Sequence, residues 1–565
     1  MLKQSILVSL LVILFGCQQS EPVNVLPKNQ SQSDAAIASR IEAHMDFLAS
    51  DLLRGRQTGS KEYNIAASYV ATQMQQYGLE PAGSDGSWYQ EVPLVKSTLI
   101  QESVKLSVNK GADQLNFTFI DDFTTPANPI SIEDILQGEV VFVGYGVDSQ
   151  VLQYNDYANL DVQGKIVIAL RGRPYQFPSE EGAHLASGTT KSETAIKHGA
   201  VGFFQIHTPE MEKIRKFESY QKYALEPAFN WQGPDGTVSE SFPELKGSGY
   251  LSTATGAAIF ELAGFSLEDI FTDIENNQNP QGFALNMQLS MERQTQHESL
   301  SSPNVVGKLV GSEPSLNQEY VVYSAHLDHI GVESHSEDDD KINNGALDNA
   351  SGVSVMLETA RRFAEQERPK RSILFVAVTA EEKGLLGSSY FATNPTVAAD
   401  NMVANINLDM PLILYPFGDI IAFGSEHSTL SSAVENAASN NAIKLSPDPM
   451  PEQVLFVRSD HYSFVKQGVP SIYLVPGFDS KDPNINGKEV FNLFLEKHYH
   501  QPSDDLQLPI NYDAAALFTK VNQDIGAQVA NSEQRPRWHE GNFFGELFTK
   551  ETTTEDSLEQ RLKTK

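Results

Sequence analysis

Tyr320-Val321-Val322-Tyr323-Ser324-Ala325-His326-Leu327-Asp328 opens the part of the chain that decides the fold. An apolar run of strand length, Tyr320 to Ser324, ends on a histidine and an aspartate. Gly352 to Ala364 then reads as a helix with Val353, Met356, Leu357 and Ala360 on one face, while Ile373 to Val378 and Val403 to Leu408 read as buried strands. Strands that alternate with helices predict a mostly parallel sheet covered on both faces, where ligands gather beyond the carboxyl ends of the strands. Polar residues fall at those ends: His326 after the first strand, Glu381 and Glu382 after Val378, Asp409 after Leu408. Together with Asp348 and His500 they offer two imidazoles and three ligating carboxylates besides Glu381. Mixed nitrogen and oxygen donors suit zinc, and a shared carboxylate would let the set hold two ions. The expected fold class is α/β, a mostly parallel mixed sheet sandwiched by helices.

Working outward, 565 residues exceed what one core normally organises, so two or three domains are expected. Ile41, Met45, Phe47, Leu48, Leu52 and Leu53 recur at helical spacing, Gly55-Arg56-Gln57-Thr58-Gly59-Ser60 breaks the pattern, and a second helix is predicted from Tyr63 to Tyr77. A middle block carries strand-like segments, including Glu139 to Gly144 and Lys165 to Leu170, and a helix-like Glu193 to His198. Its histidines, His184, His198 and His207, show no ligand spacing and are expected on the surface or in the core. The 73 acidic and 41 basic side chains give a formal charge of -32. Such a surface repels phosphate backbones, so nucleic acid is not an expected partner. An acidic cleft would instead favour a cationic group such as the free amino end of a peptide.

Lys3, the apolar Ile6 to Phe15, Gly16 and Cys17 have the pattern of an export signal over residues 1–17. Leu14-Phe15-Gly16-Cys17 resembles a bacterial lipobox, which implies a lipid anchor at Cys17 as the one contact with a membrane, and a periplasm-facing or secreted location. Cys17 is the only cysteine, so neither a disulfide nor a thiolate metal site can form within the chain. Any metal must be held by His, Asp and Glu. Residues 18–36 read as a flexible tether, and 532–565 as a tail in which Trp538, Phe543, Phe544, Leu547 and Phe548 dock a last helical segment before a frayed end from Thr552.

Six segments in order carry a resemblance: Ala325-His326-Leu327-Asp328, Gly345 to Gly352, Ala380 to Ser388, Asn407-Leu408-Asp409-Met410, Ser459-Asp460-His461 and Tyr499-His500. They resemble the motifs of the secreted di-zinc aminopeptidases, which include bacterial leucyl aminopeptidases and are related to glutamate carboxypeptidase and the transferrin receptor. His44 to Gly59 is similar to that family's N-terminal helices. Gly144-Tyr145-Gly146 through Gly164-Lys165-Ile166-Val167, with Gly199-Ala200-Val201-Gly202, is similar to its protease-associated insert. The resemblance implies a catalytic domain at 296–531, an N-terminal part of it at 37–125, and the insert at 126–295, shaping the active-site entrance.

It also implies roles. Asp348 would bridge two zinc ions, His326 and Asp409 completing one set and Glu382 and His500 the other, with room for a water between them. Glu381 would be the general base and Tyr499 a donor to the oxyanion. Arg458 would orient the substrate, and Asp328 would accept the second N–H of His326. The implied activity is release of N-terminal residues from peptides. A glutamate-carboxypeptidase-like enzyme is an alternative that needs a cluster of arginines, and near the motifs stands chiefly Arg458. A binding homologue without catalysis would lack ligands, and none is missing. His329 and His335 are expected at the surface of the loop between His326 and Asp348, and the run Glu337 to Asp340 as its solvated rim; His461 and His498 are expected near the cleft without a metal role.

Overall fold

The structure is a computed structural model that describes residues 33–333 and 339–549. The expected leader with Cys17, the tether up to residue 32, His335 and the tail from Thr552 lie outside the described residues. Asp339 and Asp340, at the end of the acidic run, are exposed.

Ser33 caps helix α1 (Asp34–Leu48) by accepting from the Ala36 amide, so helix begins inside the stretch assigned to the tether. Ile37, Ile41, Met45 and Leu48 recur on its buried face. The chain leaves that helix at Ala49, and Leu52, read as part of the same apolar face, is 84% exposed. Helix α2 (Lys61–Gln76) is capped by Ser60 and buries Tyr63, Val70 and Met74.

Strand β1 (Tyr89–Lys110) then carries the chain to the middle region, with β2 (Glu133–Phe142), β3 (Ile166–Leu170), helix α3 (Ser179–Ala186), β4 (Gly202–Ile206) and β5 (Ser248–Leu251). Strand β6 (Phe283–Leu309) returns antiparallel along β1. The remaining chain forms β7 (Tyr320–His326), α4 (Ser351–Glu365), β8 (Ser372–Val378), β9 (Met402–Asn407), β10 (Asp419–Phe423), β11 (Ser471–Pro476), α5 (Gly487–Lys497), α6 (Tyr512–Asn531) and α7 (Phe543–Phe548).

Among the described residues one 16-stranded sheet forms, with the order β10-β11-β9-β7-β8-β6-β2-β3-β4-β5 along its spine. Its centre is parallel, β7 lying between β8 and β9, while β6 joins β8 antiparallel. This is the mixed α/β sheet that the sequence predicts. Every residue of β7, β8 and β9 is buried, because both faces are covered. Val321, Tyr323 and Ala325 face the core built with α1, α2, α4 and α6. Val322, Leu374 and Val376 face Phe391 and Phe464 on the other side. Burial of such a side chain contributes about 1.5–3 kcal/mol, and the strands are thereby fixed with their carboxyl ends at one edge.

The middle region also leans on the other half. Ser179 Oγ in α3 donates to the Pro451 carbonyl, and His184 Nδ1 lies 2.6 Å from the Tyr462 hydroxyl. His184 further packs between rings of α7, including Phe543 and Phe548, so the expected last helical segment does dock. His198 and His207 pair with Asp148 (2.8 Å) and Glu212 (2.9 Å) and take no part in the site.

Candidate active site

His326 is the last residue of β7, and its placement follows from the strand's burial up to its carboxyl end. Asp348 sits in an irregular turn, Ala346–Ala350, that leads into α4. Glu381 and Glu382 follow β8, Asp409 follows β9, and Tyr499 and His500 follow α5. Three connections at one edge of the sheet, after β7, β8 and β9, and the connection after α5 thus bring all five expected ligands together.

The two carboxylate oxygens of Asp348 point to different partners. His326 Nε2 lies 3.2 Å from Asp348 Oδ1 and 3.0 Å from Asp409 Oδ1. His500 Nε2 lies 3.2 Å from both Asp348 Oδ2 and Glu382 Oε2. Burial alone would depress these imidazoles, but the carboxylates outweigh it, holding His326 well above its ordinary value and His500 up at about 11. So concentrated a buried negative charge calls for positive charge. A divalent cation meets the same demand, and donors of this kind fit zinc.

Asp409 is held from behind by a polar chain: Ser324 Oγ donates to Asn407 Oδ1, Asn407 Nδ2 to Ser459 Oγ, and Ser459 Oγ to Asp409 Oδ2. Asp348 is held by Asp504, which the sequence reading missed. The Asp504 carboxylate accepts from the amides of Leu347 (2.9 Å) and Asp348 (3.0 Å), and burial raises it to about 6. Its one signal in the sequence is a position four residues beyond His500.

Two expectations need correction. The Asp328 carboxylate does not take the second N–H of His326; the Asp328 main-chain carbonyl does, 3.1 Å from Nδ1. The Asp328 carboxylate oxygens accept instead from the amides of Glu381 (3.1 Å) and Glu382 (3.4 Å), fixing the loop that aims both glutamates. His329 is not at the surface. It is fully buried, with Nδ1 2.7 Å from Glu382 Oε1 and 4.0 Å from Asp348 Oδ2. The Gly345 backbone, at φ 59°, passes so close that a Cβ there would meet the His329 ring at 2.7 Å. His329 and His500 therefore hold separate oxygens of Glu382. His329→Ala is expected to weaken zinc binding about 10–100-fold, the usual cost of losing a partner that orients a ligand. Chelator competition measures it, and an unchanged affinity would make His329 mere filling.

A cavity of 270 Å³ opens on the cluster. His326, Asp348, Glu381 and Asp409 form one end, and Met410, Met450, Leu455, Val475, Phe491 and Leu495 supply apolar wall. It is slightly smaller than sites that take drug-sized ligands, and suits one large side chain. Tyr499 lines it and stacks on His500 with ring centroids 3.9 Å apart. Burial and the nearby carboxylates raise the Tyr499 hydroxyl, which keeps its proton. Arg458 also lines the cavity but is exposed, its guanidinium touching only the Gln453 carbonyl at 3.4 Å among the described contacts. His461 does not line the cavity but stands behind its wall, fully buried against Tyr473, which does, and Phe456; His498 bonds Ser503.

Residues 304–525 match the family model of peptidase family M28, and that segment holds all five expected ligands and Glu381. A probable zinc metalloprotease of Pyrenophora teres f. teres (strain 0-1) is 32% identical over 272 residues, covering 41% of this chain and 53% of that protein. A probable leucine aminopeptidase 2 of Aspergillus oryzae is 25% identical over 247 residues, covering 42% of this chain and 46% of that protein. The chain thus spans about half the length of these curated relatives. Among solved structures, an aminopeptidase from Aneurinibacillus sp. strain AM-1 shares the fold, with a TM-score of 0.50 at 18% identity over 89% of this chain and 97% of that one.

Proposed function

We propose that this chain is a zinc-dependent aminopeptidase that holds two zinc ions, one through His326, Asp348 and Asp409 and the other through Asp348, Glu382 and His500. The observation that carries the reading is the Asp348 carboxylate, one oxygen facing each half of the cluster, with Glu381 in the same cavity. Zinc bound there supplies Lewis acidity for the scissile carbonyl and brings a water's pKa toward neutrality. Glu381 takes a proton from the attacking water at its carboxylate and delivers it to the leaving amine as the C–N bond breaks. The Tyr499 hydroxyl donates to the oxyanion, and Arg458 at the rim orients the rest of the peptide. The acidic residues lining the cavity favour a free α-amino group, and its apolar wall favours a large apolar first side chain.

A carboxypeptidase would need guanidinium groups for the terminal carboxylate, and among the described residues Arg458 is the one arginine that lines the cavity. Residues 126–295 act, in this proposal, as a protease-associated insert that shapes the entrance. Support comes from α3, which braces the segment that brings Met450, Gln453, Leu455 and Arg458 to the cavity. The leader pattern and Cys17 support an exported lipoprotein facing the periplasm.

Aminoacyl chromogenic amides, N-acetylated controls and C-terminal glutamyl peptides, assayed with and without chelator, test the activity. Zinc-dependent release from free-amine substrates alone is expected, fastest with Leu, Met or Phe. Cleavage confined to the glutamyl peptides would replace the assignment with a carboxypeptidase.

A further inference from the structure

Arg56 lies outside the segment that matches the family model, in a stretch that reads as a polar turn, yet it is among the largest fully buried side chains of the molecule, 1% exposed. Among the described residues its guanidinium takes no carboxylate partner. Nε donates to the Leu327 carbonyl at 2.9 Å, Nη1 to those of Leu48 and Asn344 (2.6 Å to the latter), and Nη2 to Gly345 at 3.1 Å. Leu327 follows the ligand His326, and Asn344 and Gly345 precede the turn that carries Asp348. One side chain therefore ties two ligand loops to each other and to the end of α1. The planar fork reaches several carbonyls at once, which a lysine cannot do.

The surrounding backbone is built for that contact. Arg54, Gly55 and Arg56 run left-handed, with φ of 45°, 71° and 46°, a conformation that non-glycine residues hold only when their surroundings impose it. A Cβ on Gly55 would lie 2.6 Å from the Gly331 carbonyl. The Arg56 carbonyl accepts from the His329 amide, and Gln57 bridges to His329. Two residues on, Thr58 Oγ1 donates to Asp328 Oδ2 at 3.0 Å, the carboxylate whose oxygens fix the amides of Glu381 and Glu382. Burial lowers the guanidinium only to about 10, because Asp504, Asp328, Asp348 and Glu382 surround it, so it remains a cation at neutral pH.

We infer that Arg56 and Thr58 are positioning residues for the metal centre: the N-terminal turn sets the spacing of the His326, Asp348 and Glu381–Glu382 loops and so governs how tightly zinc is held. The inference rests on the reading of the cluster as a zinc site. Its test uses the full chain with Arg56→Lys, Arg56→Met and Thr58→Val, measuring zinc affinity by chelator competition and melting of the metal-free protein. Thr58→Val and Arg56→Lys are expected to lose about 10-fold in zinc affinity, and Arg56→Met about 100-fold. Excess zinc is expected to restore turnover in Arg56→Lys. A purely structural role predicts the reverse: metal-free melting falls while zinc affinity stays within twofold in all variants that fold, and that result overturns the inference. Should Arg56→Met fail to fold, the other two decide. A wild-type chain that takes up no zinc would overturn the reading of the cluster itself, whereas wild-type binding matched by the variants overturns only the role of this turn.

Discussion

Glu381→Gln is expected to lower kcat about 100–10,000-fold, the range over which a positioned base acts, while KM and zinc content stay near the parent values. The substitution keeps size and hydrogen-bonding reach and removes only the ability to take a proton. The Glu381 main chain is fixed independently of its carboxyl, through its amide to Asp328, so the loop is expected to stay in place. Burial raises the Glu381 carboxyl well above its ordinary value; His326 opposes that shift, and Glu382 and Asp409 add to it. A carboxylate placed beside the attacking water supplies the base that the reaction needs. Steady-state kinetics with metal analysis of the same preparation separates the outcomes. A loss of kcat accompanied by loss of zinc would make Glu381 a ligand instead of a base. Turnover within tenfold of the parent would place the base elsewhere.

The central sheet was legible because β7, β8 and β9 are buried on both faces, which demands unbroken apolar runs that end where polar loops begin. Polar residues at the ends of such runs stand out as candidate ligands. The long ribbon did not: β1 and β6 span 22 and 27 residues, against a usual 3–10, and their burial alternates irregularly, so no periodic signal marks them as single strands. Contacts supplied by remote chain were also invisible. His329 stands in the long loop before Asp348, and what buries it comes from elsewhere in the chain: the turn at Arg56–Gln57, more than 250 residues earlier, together with Gly345 and Glu382. Asp504 and Arg56 act through main-chain amides and carbonyls, which any residue carries, so no pairing of side-chain types betrays them. Asp328 shows the converse. Its nearness to His326 in sequence suggested a partner for the imidazole, but chain geometry sends the carboxylate to the next strand's loop.

Asp348→Asn is expected to cost more than any other single change. Each remaining ligand serves one half of the cluster, whereas Asp348 serves both through its two oxygens, 3.2 Å from His326 and 3.2 Å from His500. The amide keeps the shape but turns one of those oxygens into a nitrogen that cannot ligate, and it removes a charge that both halves use. Zinc content is therefore expected to fall from two ions to one or fewer per chain. Activity should fall at least about 1,000-fold, since Lewis-acid stabilisation amounts to several kcal/mol and each ~1.4 kcal/mol is tenfold. His500→Ala is the control: it strips the Glu382 half alone, so one ion should remain with His326 and Asp409. The fold should survive in both, because Asp504 grips the Asp348 main chain and not its carboxylate. Metal analysis with near-native circular dichroism checks this. Two ions retained in Asp348→Asn would show that the two halves bind independently, and the carboxylate would then be a neighbour of the metals instead of the group they share.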